Sequence, residues 1–308
     1  MDNKKWLIIL NPAAHSGQAG AAQPAIVAAL DALGIDYTLC MTTHKGHALQ
    51  LAKTAIAENG VRYIAAVGGD GTLHEVVNGA MLQTAVPTHL LTIAMLPLGT
   101  GNDWVRTHGI AADWRKAVQL LAHGRAFLHD IGAAHFLADG QPLTRYFINV
   151  AGMAYDGYVG AQMLTRPKVA WLPPALQYLE LIFGCLFGYQ PEHIAVNMPQ
   201  QPTIAEPLYT VNIGICKYNG GGCIFVPHAA PDSGLLAVTV VRAMPVWRVL
   251  LSTPYFYNGK IGAHSRASIH KSKTVQVSDT FLEMDGESYG KTAIRFEVLP
   301  QAIQVLIP

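Results

Sequence analysis

Two glycine-rich segments carry carboxylates that could take part in phosphate chemistry. The first covers residues 68–74 and reads Gly-Gly-Asp-Gly-Thr-Leu-His. Its glycines let a bulky ligand approach the main chain, and backbone N–H groups at a helix start favour phosphate. Asp70 would repel phosphate unless a cation lies between them, and Mg²⁺ is a cation that carboxylates and phosphates share. The alternative interpretation is a tight strand-to-helix turn in which Asp70 is a local cap.

The second segment covers residues 97–103 and reads Pro-Leu-Gly-Thr-Gly-Asn-Asp. It offers a hydroxyl at Thr100, an amide at Asn102 and a carboxylate at Asp103, just before a short predicted helix. By itself it fits an ordinary helix-capping loop. Together, the two segments put two polar glycine loops at one edge of a predicted sheet, which favours a nucleotide site.

A third acidic segment, residues 283–287, reads Glu-Met-Asp-Gly-Glu. A positioned carboxylate can accept the proton of an attacking hydroxyl during phosphoryl transfer. The alternative is an acidic hairpin turn, which Asp-Gly often marks. The chain contains no GxxxxGK[ST] motif, and no GxGxxG follows a predicted strand. Both facts argue against P-loop chemistry and against an NAD-dependent oxidoreductase.

The composition sets the broad class of protein. The chain has 308 residues, which suggests two domains, and 51% of them are hydrophobic, enough for a packed core. Its 21 basic and 20 acidic residues nearly cancel, so we expect no nucleic-acid partner. Four scattered cysteines without a CxxC pair indicate reduced thiols in a cytosolic protein. The most apolar stretch, residues 169–189, contains prolines and charged or amide side chains, so any membrane contact should be peripheral.

In the first third of the chain, predicted strands alternate with predicted helices, and these elements must position the glycine-rich segments. Apolar runs at residues 6–10, 37–41, 63–67 and 91–96 predict strands, and helices are predicted between them, which indicates a parallel sheet covered by helices. Thr72 and Glu75 have the spacing of a capping box, which predicts a helix start at the first glycine segment. After about residue 130, short strands separated by Pro and Gly, with one helical insertion near 176–187, predict an all-β sandwich-like domain.

Three motifs, in this order and spacing, resemble the diacylglycerol kinase catalytic-domain family. They are Gly-Gly-Asp-Gly-Thr at 68–72, Pro-Leu-Gly-Thr-Gly-Asn-Asp at 97–103 and Asp-Gly-Glu at 285–287. The family includes bacterial diacylglycerol and phosphatidylglycerol kinases and the sphingosine and ceramide kinases. The resemblance covers nearly the whole chain. NAD kinases share the first motif, whereas the second motif selects the lipid kinases.

The resemblance implies an enzyme that transfers phosphate from ATP to a lipid hydroxyl with the help of Mg²⁺. Asp70 and Asp103 would organise the metal ion and the phosphates, Asp285 is a further candidate ligand, and Glu287 would be the general base. The residues expected to contact ATP are Asn11, Pro12, Ser16, Thr42, Gly68, Gly69, Asp70, Gly71, Thr72, Leu73, His74, Gly99, Thr100 and Asn102.

The family also implies a second, structural Mg²⁺ site, and here the sequence departs from its pattern. Bacterial relatives usually have Asp directly before the glycine of a segment that reads Pro-Asp-Ser-Gly-Leu at residues 231–235 in this chain. Ser233 takes that place. The remaining candidates for this site are Asp232 as a substitute and the main-chain carbonyls of Ser233 and Leu235.

The resemblance further implies a fold of two domains that face each other across a cleft. The α/β ATP-binding domain, of the NAD kinase and diacylglycerol kinase type, would span residues 1–130 and take back a C-terminal tail at about 300–308. The β-sandwich lipid-binding domain would span residues 131–299. We expect a cytoplasmic enzyme, peripheral at the inner membrane surface, with a membrane lipid as substrate and with a homodimer as a candidate oligomeric state.

The sequence allows more than one interpretation of two segments and of the function. The basic stretch at 260–273 is either a solvated strand edge or a contact for anionic headgroups. The apolar insertion at 171–187 has two interpretations. In one it packs on the sandwich, and in the other part of its surface lines an acyl-chain pocket or touches the bilayer. The rival functions are an NAD kinase-like enzyme with a soluble acceptor and a non-catalytic protein that binds lipid or nucleotide.

Overall fold

The protein divides into two compact units in a computed structural model, which describes residues 4–165 and 174–308. Unit 1 comprises Met1–Ile131, Pro231–Gly234 and Leu299–Pro308, and unit 2 comprises Gly132–Ala230 and Leu235–Val298. The inclusion of Pro231–Gly234 in unit 1 differs from the predicted domain limits. Asp130 holds this segment in unit 1, because its N–H donates to the Pro231 carbonyl and its carboxylate accepts the N–H of Gly234.

Unit 1 is a sheet of parallel strands with helices between them. Its elements in chain order are β1 (Lys5–Leu10), α1 (Gln18–Ala21), α2 (Gln23–Ala32), β2 (Asp36–Met41), α3 (His47–Asn59), β3 (Tyr63–Gly68), α4 (Asp70–Leu82), β4 (Thr92–Pro97), α5 (Asp103–Thr107), α6 (Trp114–Ala117) and α7 (Leu120–His123).

The strands of unit 1 lie in the order β2, β1, β3, β4, and every one of these neighbours is parallel. The C-terminal segment adds a further parallel partner, because Gln304 and Val305 pair with Thr92 and Ile93 of β4. β1, β3 and β4 are continuous apolar runs that are almost entirely buried, as expected for strands covered on both faces. The loops after β1, β2, β3 and β4 therefore leave the same edge of the sheet.

Unit 2 is mainly antiparallel, and two of its strands, β5 and β15, continue into unit 1. Its elements are β5 (Arg125–Ala138), β6 (Gln141–Phe147), β7 (Val150–Ala154), α8 (Tyr155–Thr165), α9 (Pro174–Gly188), β8 (Glu192–Asn197), β9 (Ile204–Gly214), β10 (Tyr218–Asn219), β11 (Cys223–Ile224), β12 (Leu236–Arg242), α10 (Val246–Tyr257), β13 (Ala267–Ser272), β14 (Thr274–Met284) and β15 (Glu287–Ile307).

Antiparallel pairing in unit 2 joins β13, β12, β9, β7, β14 and β15 in that order, and β8 pairs with both β9 and β14. The prediction of a single helical insertion is wrong, because α8 and α10 are helices as well as α9. Trp171 and Leu172 of the predicted insertion lie outside the described residues. Within the described part of the chain, no helix combines the length and the apolar character needed to cross a bilayer.

Candidate active site

The two glycine loops of unit 1 touch each other through their main chains. A Cβ atom placed on Gly99 would lie 2.3 Å from the Gly69 Cα and 2.8 Å from the Asn102 Oδ1, so only glycine fits there. A Cβ on Gly68 would lie 2.4 Å from the Thr72 Oγ1. The glycines are therefore required for close approach, and both predicted loops form one continuous surface.

Asp70 joins these loops through hydrogen bonds. Its Oδ2 accepts the N–H of Asp103 at 3.0 Å, and its Oδ1 accepts the N–H of Trp104 at 3.1 Å. These N–H groups belong to the first turn of α5, where a negative charge is favourable. Asp70 is thus a cap, as one interpretation proposed, but it caps the helix of the other loop.

The space beside Gly101 tests whether these residues suit Mg²⁺. A Cβ at Gly101 would lie 3.3 Å from Asp70 Oδ2 and 3.5 Å from Asp103 Oδ2, so two carboxylate oxygens converge where glycine leaves room. The Asp103 carboxylate is buried and lies 3.5 Å from Arg106 Nε. Carboxylate oxygens are ligands that Mg²⁺ prefers, so the donor set fits that ion.

Further hydrogen bonds tie the neighbouring loops to the same edge. The Asn11 Nδ2 donates to the Thr72 Oγ1 at 3.2 Å, and the Leu98 N–H donates to the Gly68 carbonyl at 2.7 Å. The predicted Thr72–Glu75 capping box is wrong, because the Glu75 carboxylate accepts the N–H groups of Gly46 and Ala48 at the start of α3. All four loops at this edge are therefore linked to one another.

The residues expected to contact ATP differ in accessibility. Ser16 and Thr100 are exposed. Thr42, Gly68, Thr72, Leu73 and His74 are buried; the remaining ones, Asn11, Pro12, Gly69, Asp70, Gly71, Gly99 and Asn102, are partly exposed. Leu73 is fully buried, and His74 hydrogen-bonds to Asn78 within α4. A contact between ATP and either of these two residues would have to come from the main chain.

The acidic segment in unit 2 is a two-residue hairpin turn. Asp285 and Gly286 have φ of 51° and 91°, and Met284 pairs with Glu287 across the turn. The Asp285 carboxylate is buried and accepts three backbone N–H groups, from residues 148, 149 and 150, at 3.0–3.1 Å. These bonds give Asp285 a structural role in the turn that presents the half-buried Glu287.

Glu283 is a buried carboxylate near this turn that the motif analysis did not select. It accepts the Gly286 N–H and the Asn219 Nδ2, the latter at 3.5 Å. Burial, joined by the nearby Asp156 and Asp285 charges, raises the pKa of Glu283 to about 8. Asp156 is partly exposed, and it accepts a hydrogen bond from the Thr210 hydroxyl at 2.7 Å. The signal in the sequence was weak, because Glu283 looks like one more acid in an acidic turn.

We expect the variant Glu283→Gln to flatten the pH dependence of stability. With a raised pKa the folded protein keeps a proton that the unfolded chain loses above its ordinary value of 4.5. Stability therefore falls as pH rises from about 4.5 to about 8, by on the order of 3–5 kcal/mol for this group. Urea unfolding of both proteins between pH 5 and pH 8 would measure this.

The control for this prediction is Glu192→Gln, which changes a surface carboxylate paired with Lys291 at 2.8 Å. This variant should keep the slope of the wild type. An unfolding free energy that falls equally steeply with pH in Glu283→Gln and in the wild type would contradict the prediction.

The segment predicted to hold a structural metal ion is organised by a residue that sequence reasoning missed. Asp130 accepts the N–H of Gly234 at 2.6 Å and that of Gln301 at 2.8 Å. Burial raises the pKa of Asp130, and the charge of Asp232 adds to the effect. Asp232 and Ser233 are exposed in unit 1, whereas Leu235 belongs to unit 2. A metal role for this segment stays a prediction.

Comparison with protein families identifies both parts of the chain. The family model "Diacylglycerol kinase catalytic domain" matches residues 5–134, and "YegS C-terminal NAD kinase beta sandwich-like domain" matches residues 152–307. The chain therefore belongs to the diacylglycerol kinase catalytic-domain family, a family of lipid kinases, in the form with a YegS-type C-terminal domain. Its fold is that of the NAD kinases and diacylglycerol kinases with a C-terminal β-sandwich domain.

Individual relatives agree with this assignment. The chain is 29% identical over 265 residues to a Shewanella frigidimarina protein named "Probable lipid kinase YegS-like", covering 84% of this chain and 81% of that one. It is 26% identical over 308 residues to "Diacylglycerol kinase" of Staphylococcus saprophyticus, covering 99% and 96%. A crystal structure of a diacylglycerol kinase from Bacillus anthracis has the same fold, with a TM-score of 0.72, 22% identity and coverage of 100% and 98%.

Proposed function

We propose that this protein is an ATP-dependent kinase that phosphorylates a hydroxyl group of a diacylglycerol-like membrane lipid. The observation that carries the proposal is the contact between the two glycine loops, with the Asp70 and Asp103 oxygens converging beside Gly101. This surface lies at the carboxyl edge of parallel strands, where nucleotides bind in open α/β sheets. Membership of a lipid kinase family supports the choice of reaction.

In this proposal the loops of unit 1 bind and orient the triphosphate. Backbone N–H groups of residues 100 and 101 and the hydroxyl of Thr100 would donate to phosphate oxygens, whereas the Gly99 N–H donates to the Asn102 Oδ1 at 3.1 Å. Asp70 and Asp103 would hold Mg²⁺, which when bound neutralises negative charge on the phosphate groups. Arg106, whose Nη2 lies 3.4 Å from the Gly101 carbonyl, adds a positive charge next to the loop.

Glu287 is the proposed proton acceptor. The lipid hydroxyl oxygen would attack the γ-phosphorus of ATP, the bond to the β,γ-bridging oxygen would break, and ADP would leave. The proton of the hydroxyl would pass to the Glu287 carboxylate. The bonds that hold Asp285 and Gly286 fix the turn before Glu287, which supports a side chain held ready for this task.

The test is incubation with labelled ATP and Mg²⁺ and one acceptor at a time: diacylglycerol, phosphatidylglycerol, ceramide, sphingosine or NAD. We expect label in the lipid extract with diacylglycerol or a related lipid, and none on NAD. Label on NAD alone would favour the NAD kinase-like alternative. Binding of ATP without turnover on any acceptor would favour a non-catalytic protein, and either outcome would overturn the proposal.

A further inference from the structure

Helix α10 in unit 2 presents an apolar face to solvent. Its exposed residues include Trp247, Leu250, Leu251 and Tyr257, with 61%, 39%, 70% and 58% of their surface accessible, and Pro254 is exposed among them. The spacing of 3, 1, 3 and 3 residues puts all five side chains along one side of a helix. We call these five residues the α10 stripe.

The opposite side of α10 is already packed against the protein. Val249, Ser252 and Phe256 are buried, and the Phe256 ring lies 5.1 Å from the Phe225 ring. A surface helix normally carries its charged side chains on the outward face. The outward face of α10 is apolar instead, so it is suited to contact with a non-aqueous phase.

The chain segment that contains the α10 stripe is positively charged. Residues 233–278 contain six Lys or Arg side chains and no Asp or Glu, although the whole chain has a net charge of only +1. One of the six, Arg242, is paired with Glu206 at 2.8 Å. Burial lowers the pKa of His264, which contacts α10 through Ser252, and the nearby charges of Arg248 and Arg266 also lower it.

We propose that the α10 stripe, with the cations Arg248, Lys260 and Arg266 beside it, docks on an anionic lipid bilayer. An aromatic and aliphatic helix face bordered by cations is typical of helices that lie in the bilayer interface. Anionic headgroups attract such cations. The inference deepens the proposed function, because a kinase for a membrane lipid must reach a substrate that is held in a bilayer.

The charge distribution favours a bilayer over a second copy of the chain. In a two-fold symmetric dimer the same patch meets itself. The cations beside one stripe would then face the same cations of the partner, without acidic residues in 233–278 to compensate them. An anionic bilayer supplies the compensating charge over the whole patch.

The test is flotation of the full chain with vesicles of phosphatidylcholine alone or mixed with an equal part of phosphatidylglycerol. We expect the wild type to bind the mixed vesicles. The double variant Trp247→Ser/Leu251→Ser should bind them roughly tenfold more weakly, since it loses two side chains that would insert. Leu137→Ser, which changes another leucine of unit 2 with 57% of its surface exposed, is the matched control and should bind like the wild type.

A second variant tests the electrostatic part. Arg248→Gln/Lys260→Gln should weaken binding to the mixed vesicles and make it less sensitive to salt, because exposed charges act through screened attraction. Circular dichroism checks that each variant is folded. Unchanged vesicle binding of the folded Trp247→Ser/Leu251→Ser variant would overturn the inference, and so would a wild type that binds neither vesicle. A variant that binds vesicles normally but has lost a dimer in sedimentation would assign the stripe to a second copy.

Activity measurements separate this inference from the proposed function. On a short-chain diacylglycerol dispersed in water, Trp247→Ser/Leu251→Ser should phosphorylate as fast as the wild type, while on vesicles it should be slower in proportion to its weaker binding. If the wild type phosphorylates no lipid but binds anionic vesicles through the stripe, the proposed function fails and the docking surface stands.

Discussion

Glu287→Gln is expected to abolish phosphoryl transfer and to leave the fold intact. Glutamine has nearly the same shape but cannot accept the proton of the attacking hydroxyl, and loss of a general base typically costs about 10²–10⁴-fold in rate. The turn before this residue should persist, because it is held by the Asp285 carboxylate and by the bond from Gly286 to Glu283. Initial rates with labelled ATP and diacylglycerol would measure the effect.

Glu192→Gln is again the matched control, since its carboxylate forms a surface pair with Lys291 in the same unit. Its rate and its unfolding midpoint should equal those of the wild type. ATP should bind Glu287→Gln with unchanged affinity, which calorimetry can show. Wild-type turnover by folded Glu287→Gln would remove Glu287 from the mechanism.

Asp70→Ala should have the second large effect, on both activity and stability. The variant leaves the N–H groups of Asp103 and Trp104 without their acceptor and removes one of the two carboxylates beside Gly101. Leaving a buried donor unsatisfied costs about 1–3 kcal/mol. We expect turnover to fall at least as far as in Glu287→Gln, and ATP binding to lose its dependence on Mg²⁺.

Asp113→Ala separates the capping role of Asp70 from its proposed role at the metal. The Asp113 carboxylate caps α6 in unit 1 by accepting the N–H of Arg115 at 3.0 Å, and it lies outside both glycine segments. Its loss should cost about 1 kcal/mol of stability and no activity. If Asp70→Ala were only destabilised, with wild-type turnover below its unfolding temperature, Asp70 would be a cap and nothing more.

The secondary structure of unit 1 could be predicted because its signals are local. Helix α3, at His47–Asn59, is found between two predicted strands as expected, and glycines with positive φ at positions 46 and 60 flank it. The first three strands and β4 follow from apolar runs with turn residues at their ends. Such elements depend on neighbours a few residues away, and the sequence displays those neighbours directly.

Other features depend on distant partners, and there the sequence misled. Thr72 and Glu75 have capping-box spacing, but Glu75 is used 27 and 29 residues away, at α3. Helix α10 lies in the part of the chain for which short strands and a single helical insertion near 176–187 were predicted, and it contains a proline, Pro254. Strand β15 continues through Pro300, although prolines were expected to separate the strands in this part of the chain.

In the candidate site, too, some features follow from the local sequence and others depend on residues far away in the chain. Both glycine loops and Asp70 could be selected from the sequence, because glycines and carboxylates at strand ends are visible as types and spacings. The structural use of Asp285 could not, since its three donors lie about 135 residues earlier in the chain. Burial also distinguishes Glu283 from Glu287, and burial is a property of the folded chain.

The ties among the loops of unit 1 bear on attempts to change nucleotide preference. Asn11 is bonded to Thr72, Gly68 to Leu98, Asp70 to Asp103, and Glu75 to the start of α3. A single loop grafted from a relative would arrive without the partners of at least one of these bonds. Swaps should therefore transplant the four loops as a set, together with residues 70–75 of α4.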